Sequence, residues 1–275
     1  MTKPAMAAYA LGHSEGELQR LAMQNRMFGE LTLDVFRRAG IGEGMKVADF
    51  GCGAGDTTFL LRAMVGPGGH VIGIDRSADA IAKARQRAAA VELDNVEFVE
   101  ANADDWSPAE PLDAVAGRFV MMYQSDPAAW LRRVAGLVRH GGIVAFQEIV
   151  VGQLRVVGDA PLFARGADVM LETFRRSGAD PNMGDRLAPV FRAAGLGDPG
   201  MIAAQRVECG PDSAGYALFA GTLASLMPVA EKLGVTTAAE IEVDTLAGRL
   251  REEVVRTGAT MFLPLLVGAW ATTAE

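Results

Sequence analysis

Short apolar runs alternate with segments of helical periodicity through the middle of the chain. The runs lie near residues 46–50, 70–75, 96–100, 113–120 and 143–150. Strands that alternate with helices predict a parallel sheet covered on both faces. Beyond residue 150 the pattern predicts four more helices and two more strands, near 161–176, 185–194, 200–209, 213–230, 238–256 and 260–272. We therefore predict an α/β fold with a mostly parallel, seven-stranded sheet.

The first part of the chain also has a helical pattern. Apolar residues recur at helical spacing from Ser14 to Arg38, and Ser14 with Glu17 forms a capping-box pattern at the start. We expect one long helix here, or two helices with a break near Gly29, before the first strand.

The segment VADFGCGAG, residues 47–55, combines an apolar run with three glycines on alternate positions. The following residues begin a helix, so the glycines lie on a strand-to-helix turn. Glycines let a ligand approach the backbone, and a new helix offers free N–H groups to a negative group. A dinucleotide fingerprint would need its third glycine at 56 or 58, where Asp56 and Thr58 stand. A tight turn without a ligand remains the alternative.

Polar residues also follow the next two predicted strands. Asp75 ends the run that begins at Val71, and an acid at this place can accept hydrogen bonds from both hydroxyls of a ribose. The third strand runs into a polar turn at residues 100–104 that is suited to the edge of an adenine. Ligands of such sheets bind at the carboxyl ends of the strands, where these three turns meet.

Four segments, VADFGCGAGDTT, VIGIDRS, FVEANADDW and DAVAGRFVMMY, resemble the class I S-adenosylmethionine-dependent methyltransferases. The resemblance continues to about Val150 and implies a Rossmann-like fold that binds S-adenosyl-L-methionine. It implies cofactor contacts at Gly51, Cys52, Gly53, Asp75, Arg76, Asn102, Ala103 and Arg118. Gly51 and Gly53 would line the methionine part of the cofactor, and Asp75 would hold the ribose.

Other cofactor contacts follow from the same resemblance. Asn102 and Ala103 would meet the adenine. Many members of the family carry an aspartate in place of Asn102, whose amide oxygen can still accept from the adenine amine. Arg118 would lie beside the methionine moiety. Tyr9 is expected to contact the sulfonium by a cation–π interaction, and the Gln24 amide is expected to bind the methionine carboxylate.

In this family the N-terminal helix and the segments after the fifth strand form a cap over the acceptor pocket. We therefore expect one methyltransferase domain over 1–275, with an N-terminal helical cap (1–40), a cofactor-binding core (41–150), and a part that completes the sheet and adds a helical substrate cap (151–275). Some apolar cap residues should line the acceptor cavity, with Glu148 and Gln147 among its polar points. The candidates are Phe28, Phe163, Met170, Phe174, Met183, Tyr216, Phe219 and Met227.

Few side chains are candidates for a catalytic base. They are His13 and Glu148, because His70 and His140 fall in glycine-containing turns. His13 could instead bond backbone or water ahead of the first helix, and Glu148 could simply cap the fifth strand. A base is not obligatory, because in-line methyl transfer gains much of its rate from positioning in a pocket closed to water.

Composition narrows the possible partners. The chain has 26 Lys and Arg against 34 acids and a net charge of −8, which opposes a nucleic-acid partner. Its two cysteines provide neither a disulfide framework nor a metal site, and they fit a reducing cytoplasm. We find no signal peptide, and the apolar segment 261–271 is too short to cross a bilayer.

The sequence thus predicts a cytoplasmic, metal-independent methyltransferase for a small apolar or aromatic metabolite, of the kind found in secondary metabolism. A homodimer is left open, as is the methylated atom. One alternative is a protein that binds the cofactor without transferring methyl, either as a regulatory module or as an enzyme that uses the sulfonium as an electrostatic group. An RNA methyltransferase is the less favoured alternative, because the chain is acidic.

Overall fold

A computed structural model describes the backbone of residues 15–274 and the side chains of residues 27–274. Tyr9 and His13 lie outside these residues, and Gln24 lies in the first helix, where its side chain is not described.

One sheet of eight strands organises the described part of the chain. The strands are β1 (Lys46–Phe50), β2 (His70–Asp75), β3 (Val96–Glu100), β4 (Leu112–Arg118), β5 (Val138–Val150), β6 (Arg155–Val157), β7 (Gly200–Glu208) and β8 (Thr260–Thr272). The helices are α1 (Glu15–Ala39), α2 (Asp56–Val65), α3 (Ala78–Ala90), α4 (Pro127–Ala135), α5 (Pro161–Arg176), α6 (Leu187–Ala194), α7 (Gly215–Lys232), α8 (Ala238–Ile241) and α9 (Leu246–Thr257).

The strand order is β3-β2-β1-β4-β5-β8, with β6 and β7 both paired to β8. Strands β1 to β5 are parallel, and β8 runs antiparallel to β5, β6 and β7. The predicted α/β fold with a mostly parallel sheet is therefore confirmed. The sheet has one strand more than the predicted seven, because β6 has only three residues and is too short to produce an alternating pattern.

Helices cover both faces of the sheet, as the alternation of strands and helices predicted. On one face, Val47 and Val71 of the sheet share a core with Phe36 of α1 and Leu61 of α2. On the other face, a larger core joins Phe146 and neighbouring sheet residues to α4, α5, α6, α7 and α9. None of the described helices is long and apolar enough to span a bilayer.

The structure settles the form of two predicted helical segments. The first is a single helix that passes through Gly29, which selects the first of the two predicted alternatives. The predicted helix at 238–256 is instead split into α8 and α9. The break occurs because Glu242 takes a left-handed backbone conformation with φ of 52°, which ends α8 after one turn.

The helix α1 packs closely on the sheet where β8 has a glycine. A Cβ atom on the buried Gly268 would lie 2.6 Å from Cγ1 of Val35. This glycine therefore sets how closely the N-terminal helix approaches the sheet.

Replacing Gly268 by Ala should destabilise the protein by about 1–3 kcal/mol, because the new methyl group overpacks the contact with Val35. Urea unfolding of the variant measures this loss. The matched control is Gly248→Ala in α9, where a Cβ meets no atom within 4 Å. That variant should be more stable by about 0.5–1 kcal/mol, since alanine favours the helix. Equal stability of the Gly268 variant and the wild type would refute the close-packing argument.

Candidate functional site

The turn between β1 and α2 lies where the sequence predicted it, and its backbone conformation suits its glycines. Gly51, Gly53 and Gly55 have φ angles of 71°, 54° and 90°, all in the left-handed region that favours glycine. A Cβ on Gly51 would lie 2.7 Å from Cγ2 of Val120, whereas a Cβ on Gly53 would meet no atom within 4 Å. The first glycine thus allows close packing, and the second leaves open space beside the backbone.

Hydrogen bonds fix this turn to the end of β2. The N–H groups of Gly51 and Cys52 both donate to the carbonyl oxygen of Ile74, over 2.8 and 3.1 Å. The N–H of Gly53 donates to Oδ2 of Asp75 over 2.9 Å. The glycine turn and the acid that follows β2 therefore form one rigid unit.

Asp75 also organises the start of α3. Its Oδ1 accepts a hydrogen bond of 2.9 Å from the N–H of Ser77, which caps that helix. A carboxylate offers about four acceptor positions, so each oxygen can still accept from a ligand hydroxyl. The side chain is half-buried and lines a cavity at the carboxyl ends of the strands, as does Arg76.

The turn after β3 places Asn102 and Ala103 in the same cavity. The side-chain oxygen of Asn102 accepts a hydrogen bond of 3.2 Å from the N–H of Asp104, and its carbonyl accepts from the N–H groups of Asp105 and Trp106. The amide oxygen that the sequence suggested for an adenine amine is thus already engaged in closing the turn.

Arg118, at the end of β4, is buried and belongs to a polar chain across the sheet. Its guanidinium donates to Oγ1 of Thr32 over 3.1 Å, and that hydroxyl lies 2.7 Å from Oε1 of Gln147. These hydrogen bonds connect α1, β4 and β5 and orient the guanidinium of Arg118, which lines the cavity. Gln147 itself does not line the cavity.

Asp49 was missed as a functional candidate, although an acid inside the apolar run of β1 is itself a signal. Its Oδ2 accepts a short hydrogen bond of 2.6 Å from the hydroxyl of Thr58, which ties β1 to α2. Its Oδ1 is buried without a hydrogen-bond partner among the described residues. Burial raises the pKa of Asp49 to about 7, while the bond from Thr58 and the charge of Arg118 oppose this rise.

Glu148 is fully buried at the end of β5, and its orientation corrects the sequence interpretation. Its Oε1 accepts hydrogen bonds from the N–H groups of Val120 and Met121, over 2.9 and 2.6 Å. The side chain is not part of the cavity lining, and burial raises its pKa to about 8. Neither Glu148 nor Gln147 lines the cavity: Oε1 of each side chain bonds a protein group, and Oε2 of Glu148 is buried without a hydrogen-bond partner among the described residues.

The cavity runs without interruption from the glycine turn to the cap helices. Beyond the cofactor turns its lining is mainly apolar, and we call this part the acceptor wall. The acceptor wall consists of Phe28, Arg118, Phe119, Val120, Met122, Tyr123, Gln124, Ile149, Leu154, Met170, Phe174, Leu218, Phe219, Thr222, Leu263 and Pro264.

Half of the apolar candidates from the cap lie on the acceptor wall. They are Phe28 of α1, Met170 and Phe174 of α5, and Phe219 of α7. The other four, Phe163, Met183, Tyr216 and Met227, are buried in the core and do not line the cavity. The N-terminal helix and the later helices therefore converge on one cavity.

Comparison with known proteins agrees with this arrangement. Residues 41–184, which are 144 of the 275, match a family model described as a methyltransferase domain. A trans-aconitate 2-methyltransferase of Azoarcus sp. (strain BH72) is 34% identical over 42% of this chain and 43% of its own length. The chain thus spans less than half of that relative. A demethylmenaquinone methyltransferase of Geobacillus stearothermophilus is 29% identical over 60% of this chain and 76% of its own length.

Solved structures share the fold at low sequence identity. A putative methyltransferase from Bacillus halodurans C-125 is 14% identical, with a TM-score of 0.57 over 89% of this chain and 99% of that one. The [4+2]-cyclase SpnF is 19% identical, with a TM-score of 0.52 over 98% of this chain and 89% of that one. The family match, with the glycine turn and Asp75 at the carboxyl edge of the sheet, shows that this chain belongs to the class I S-adenosylmethionine-dependent methyltransferases.

Proposed function

We propose that this protein transfers the methyl group of S-adenosylmethionine to a small, largely apolar or aromatic acceptor. The observation that carries this proposal is the continuous cavity, which joins the glycine turn and Asp75 to the acceptor wall. The cavity lies where the strand order reverses between β1 and β4, which is the usual binding crevice of such sheets.

The residues around the glycine turn fit the cofactor. The open space beside Gly53 leaves room for the methionine part along the backbone, and Asp75 keeps acceptor capacity for ribose hydroxyls. We assign Gly51, Cys52, Gly53 and Arg118 to the methionine part, Asp75 and Arg76 to the ribose side, and Asn102 and Ala103 to the adenine. The roles of Tyr9, Gln24 and His13 stay predictions, because their side chains are not described.

The acceptor wall favours a flat, apolar molecule with one polar handle. Its polar side chains among the described residues are Arg118, Tyr123, Gln124 and Thr222, and Arg118 is the one cation among them. Trans-aconitate, named in the first relative, is a polycarboxylate and would need several cationic partners in a buried site. A sugar would likewise leave hydroxyls unpaired against this wall.

The described side chains contribute mainly alignment and exclusion of water. The chemistry that S-adenosylmethionine supplies when bound is a methyl carbon made electrophilic by an adjacent sulfonium. The aromatic rings of Phe28, Phe119 and Phe219 wall the acceptor part of the cavity and keep water from it. No described side chain of the acceptor wall is a histidine or a carboxylate, so these residues act by holding the acceptor in line.

A protein that holds the cofactor without transferring methyl is the second candidate. The fold itself does not separate the two functions, since the [4+2]-cyclase SpnF has the same fold. An RNA methyltransferase is disfavoured, because a net charge of −8 and a largely apolar acceptor wall do not suit a polyanion.

Asp75→Ala should weaken binding of S-adenosylhomocysteine by about 1–3 kcal/mol, because charge-assisted hydrogen bonds to two ribose hydroxyls are lost. Titration calorimetry measures the change. Asp79→Ala is the matched control, because Asp79 is exposed on the neighbouring helix α3 and does not line the cavity. If the Asp75 variant binds as tightly as the control, Asp75 does not bind the ribose hydroxyls.

Gly53→Val should abolish detectable binding of S-adenosylhomocysteine while the protein stays folded, because the branched side chain enters the space of the methionine part. Gly44→Val is the matched control. Gly44 also has a left-handed backbone, with φ of 77° and no atom within 4 Å of a Cβ, but it lies outside the cavity. Both variants carry similar backbone strain. Only a loss of S-adenosylhomocysteine binding that is confined to the Gly53 variant therefore supports a contact between the glycine turn and the methionine part.

Methyl-labelled S-adenosylmethionine should yield labelled product with small phenols, hydroquinones or aromatic amines. Trans-aconitate and other polycarboxylates should react at least about 100-fold more slowly, since buried carboxylates would lack partners. Labelled product that forms chiefly from trans-aconitate would refute the apolar acceptor. Tight cofactor binding without labelled product from any of these acceptors would favour a protein that holds the cofactor without transferring methyl.

A further inference from the structure

The turn after β4 has an unusual backbone beside the cavity. Phe119 has a φ of 58°, a left-handed conformation that bulky side chains rarely adopt. The next residue, Val120, returns to the right-handed region with φ of −114° and ψ of −34°. A left-handed residue next to a right-handed one turns successive N–H groups to the same side and forms a concavity that binds anions.

Residues of β5 fill this concavity. The N–H of Phe119 donates to the carbonyl oxygen of Gln147 over 2.9 Å. The next two N–H groups, of Val120 and Met121, donate to Oε1 of Glu148. Three successive N–H groups of the turn are therefore held by two adjacent residues of one strand. A left-handed backbone at a bulky residue is unfavourable by itself and persists only where the surrounding structure holds it, and these hydrogen bonds are such a constraint.

The same turn forms part of both halves of the cavity. Phe119, Val120 and Met122 belong to the acceptor wall. Val120 also lies directly against Gly51, where a Cβ would come within 2.7 Å of its side chain. A movement of this turn would thus change the acceptor wall and remove the support of the glycine turn together.

We propose that Glu148 is a positioning residue, which holds residues 119–122 in the conformation that presents Phe119 and Val120 to the ligand cavity. It takes no part in proton transfer, because its carboxyl group does not reach the cavity and a base must contact the proton that it removes. The inference rests on the proposed function, since one of its measurements is methyl transfer.

Glutamine is a close mimic of this side chain in its neutral form. Burial raises the pKa of Glu148 to about 8, which favours its neutral form more strongly than in an ordinary glutamate. An amide oxygen can accept the two hydrogen bonds that Oε1 now accepts, and the amide group has nearly the same shape. Leucine has a similar volume but offers no acceptor to the two N–H groups.

The test compares Glu148→Gln and Glu148→Leu with the wild type, well below the melting temperature of each protein. Three quantities are measured. They are the dissociation constant of S-adenosylhomocysteine, the rate of methyl transfer to the phenol, hydroquinone or aromatic amine that the wild type methylates, and amide hydrogen exchange in residues 119–123. The Gln variant should stay within about threefold of the wild type in all three. The Leu variant should bind at least about 10-fold more weakly and exchange faster in that segment.

Asp113→Leu controls for general loss of stability. Oδ2 of Asp113 also accepts a backbone hydrogen bond, from the N–H of Lys46 over 2.8 Å, but at the opposite edge of the sheet from the cavity. This variant should melt at a lower temperature and keep the wild-type dissociation constant. A Glu148→Leu protein that behaves in the same way, with normal exchange in residues 119–123, would overturn the proposal.

Other outcomes separate this inference from the proposed function. A loss of about 100-fold or more in rate for Glu148→Gln, with normal binding and exchange, would identify Glu148 as a base and overturn the positioning role. A wild-type protein that does not bind S-adenosylhomocysteine would refute the proposed function instead. Hydrogen exchange would then still decide whether Glu148 holds the turn. Normal exchange of residues 119–123 in the Leu variant would exclude that positioning role.

Discussion

The contact between two strand-end turns is the constraint on which the site depends. Strands β1 and β4 are parallel neighbours, so the glycine turn after β1 and the turn after β4 leave the sheet at the same edge. They fit together only because Gly51 has no Cβ to meet Val120. On its other side the glycine turn is hydrogen-bonded to the end of β2. Three strand ends are thereby fixed around one crevice, which is what a ligand of adenosine size requires.

Two buried acids maintain this edge of the sheet. Asp49 binds the hydroxyl of Thr58 and so orients α2, while Glu148 binds two N–H groups of the turn after β4. Desolvation raises the pKa of both groups, to about 7 and about 8. Each acid therefore has a cost in stability when it is ionised, which the protein offsets with donors that are fixed by the backbone or by a neighbouring helix.

The cap is joined to the sheet by polar contacts as well as by apolar packing. Thr32 of α1 lies between Arg118 and Gln147, and Arg206 of β7 donates to the carbonyl oxygen of Met27 in the same helix. Both contacts orient α1, which contributes Phe28 to the acceptor wall. The helix α1 is thus positioned by polar contacts with β4, β5 and β7 of the same sheet whose other strand ends carry the glycine turn and Asp75.

The sequence by itself determined the mostly parallel sheet, the alternation of its strands and helices, and the place of the glycine turn, because hydrophobic period and the absence of a Cβ are local properties. It did not determine where side chains point at the ends of strands. There the alternation between the two faces of the sheet stops, and contacts with the neighbouring turn decide the direction of each side chain. Glu148 therefore appeared as a possible base, and Asp49 and the left-handed Phe119 had no assigned role. Tertiary packing also decided which residues of the later helices face the cavity. An apolar helix residue can satisfy its pattern either in the core, as Phe163 does, or on the acceptor wall, as Phe174 does, and only the packing of α5 against α7 distinguishes them.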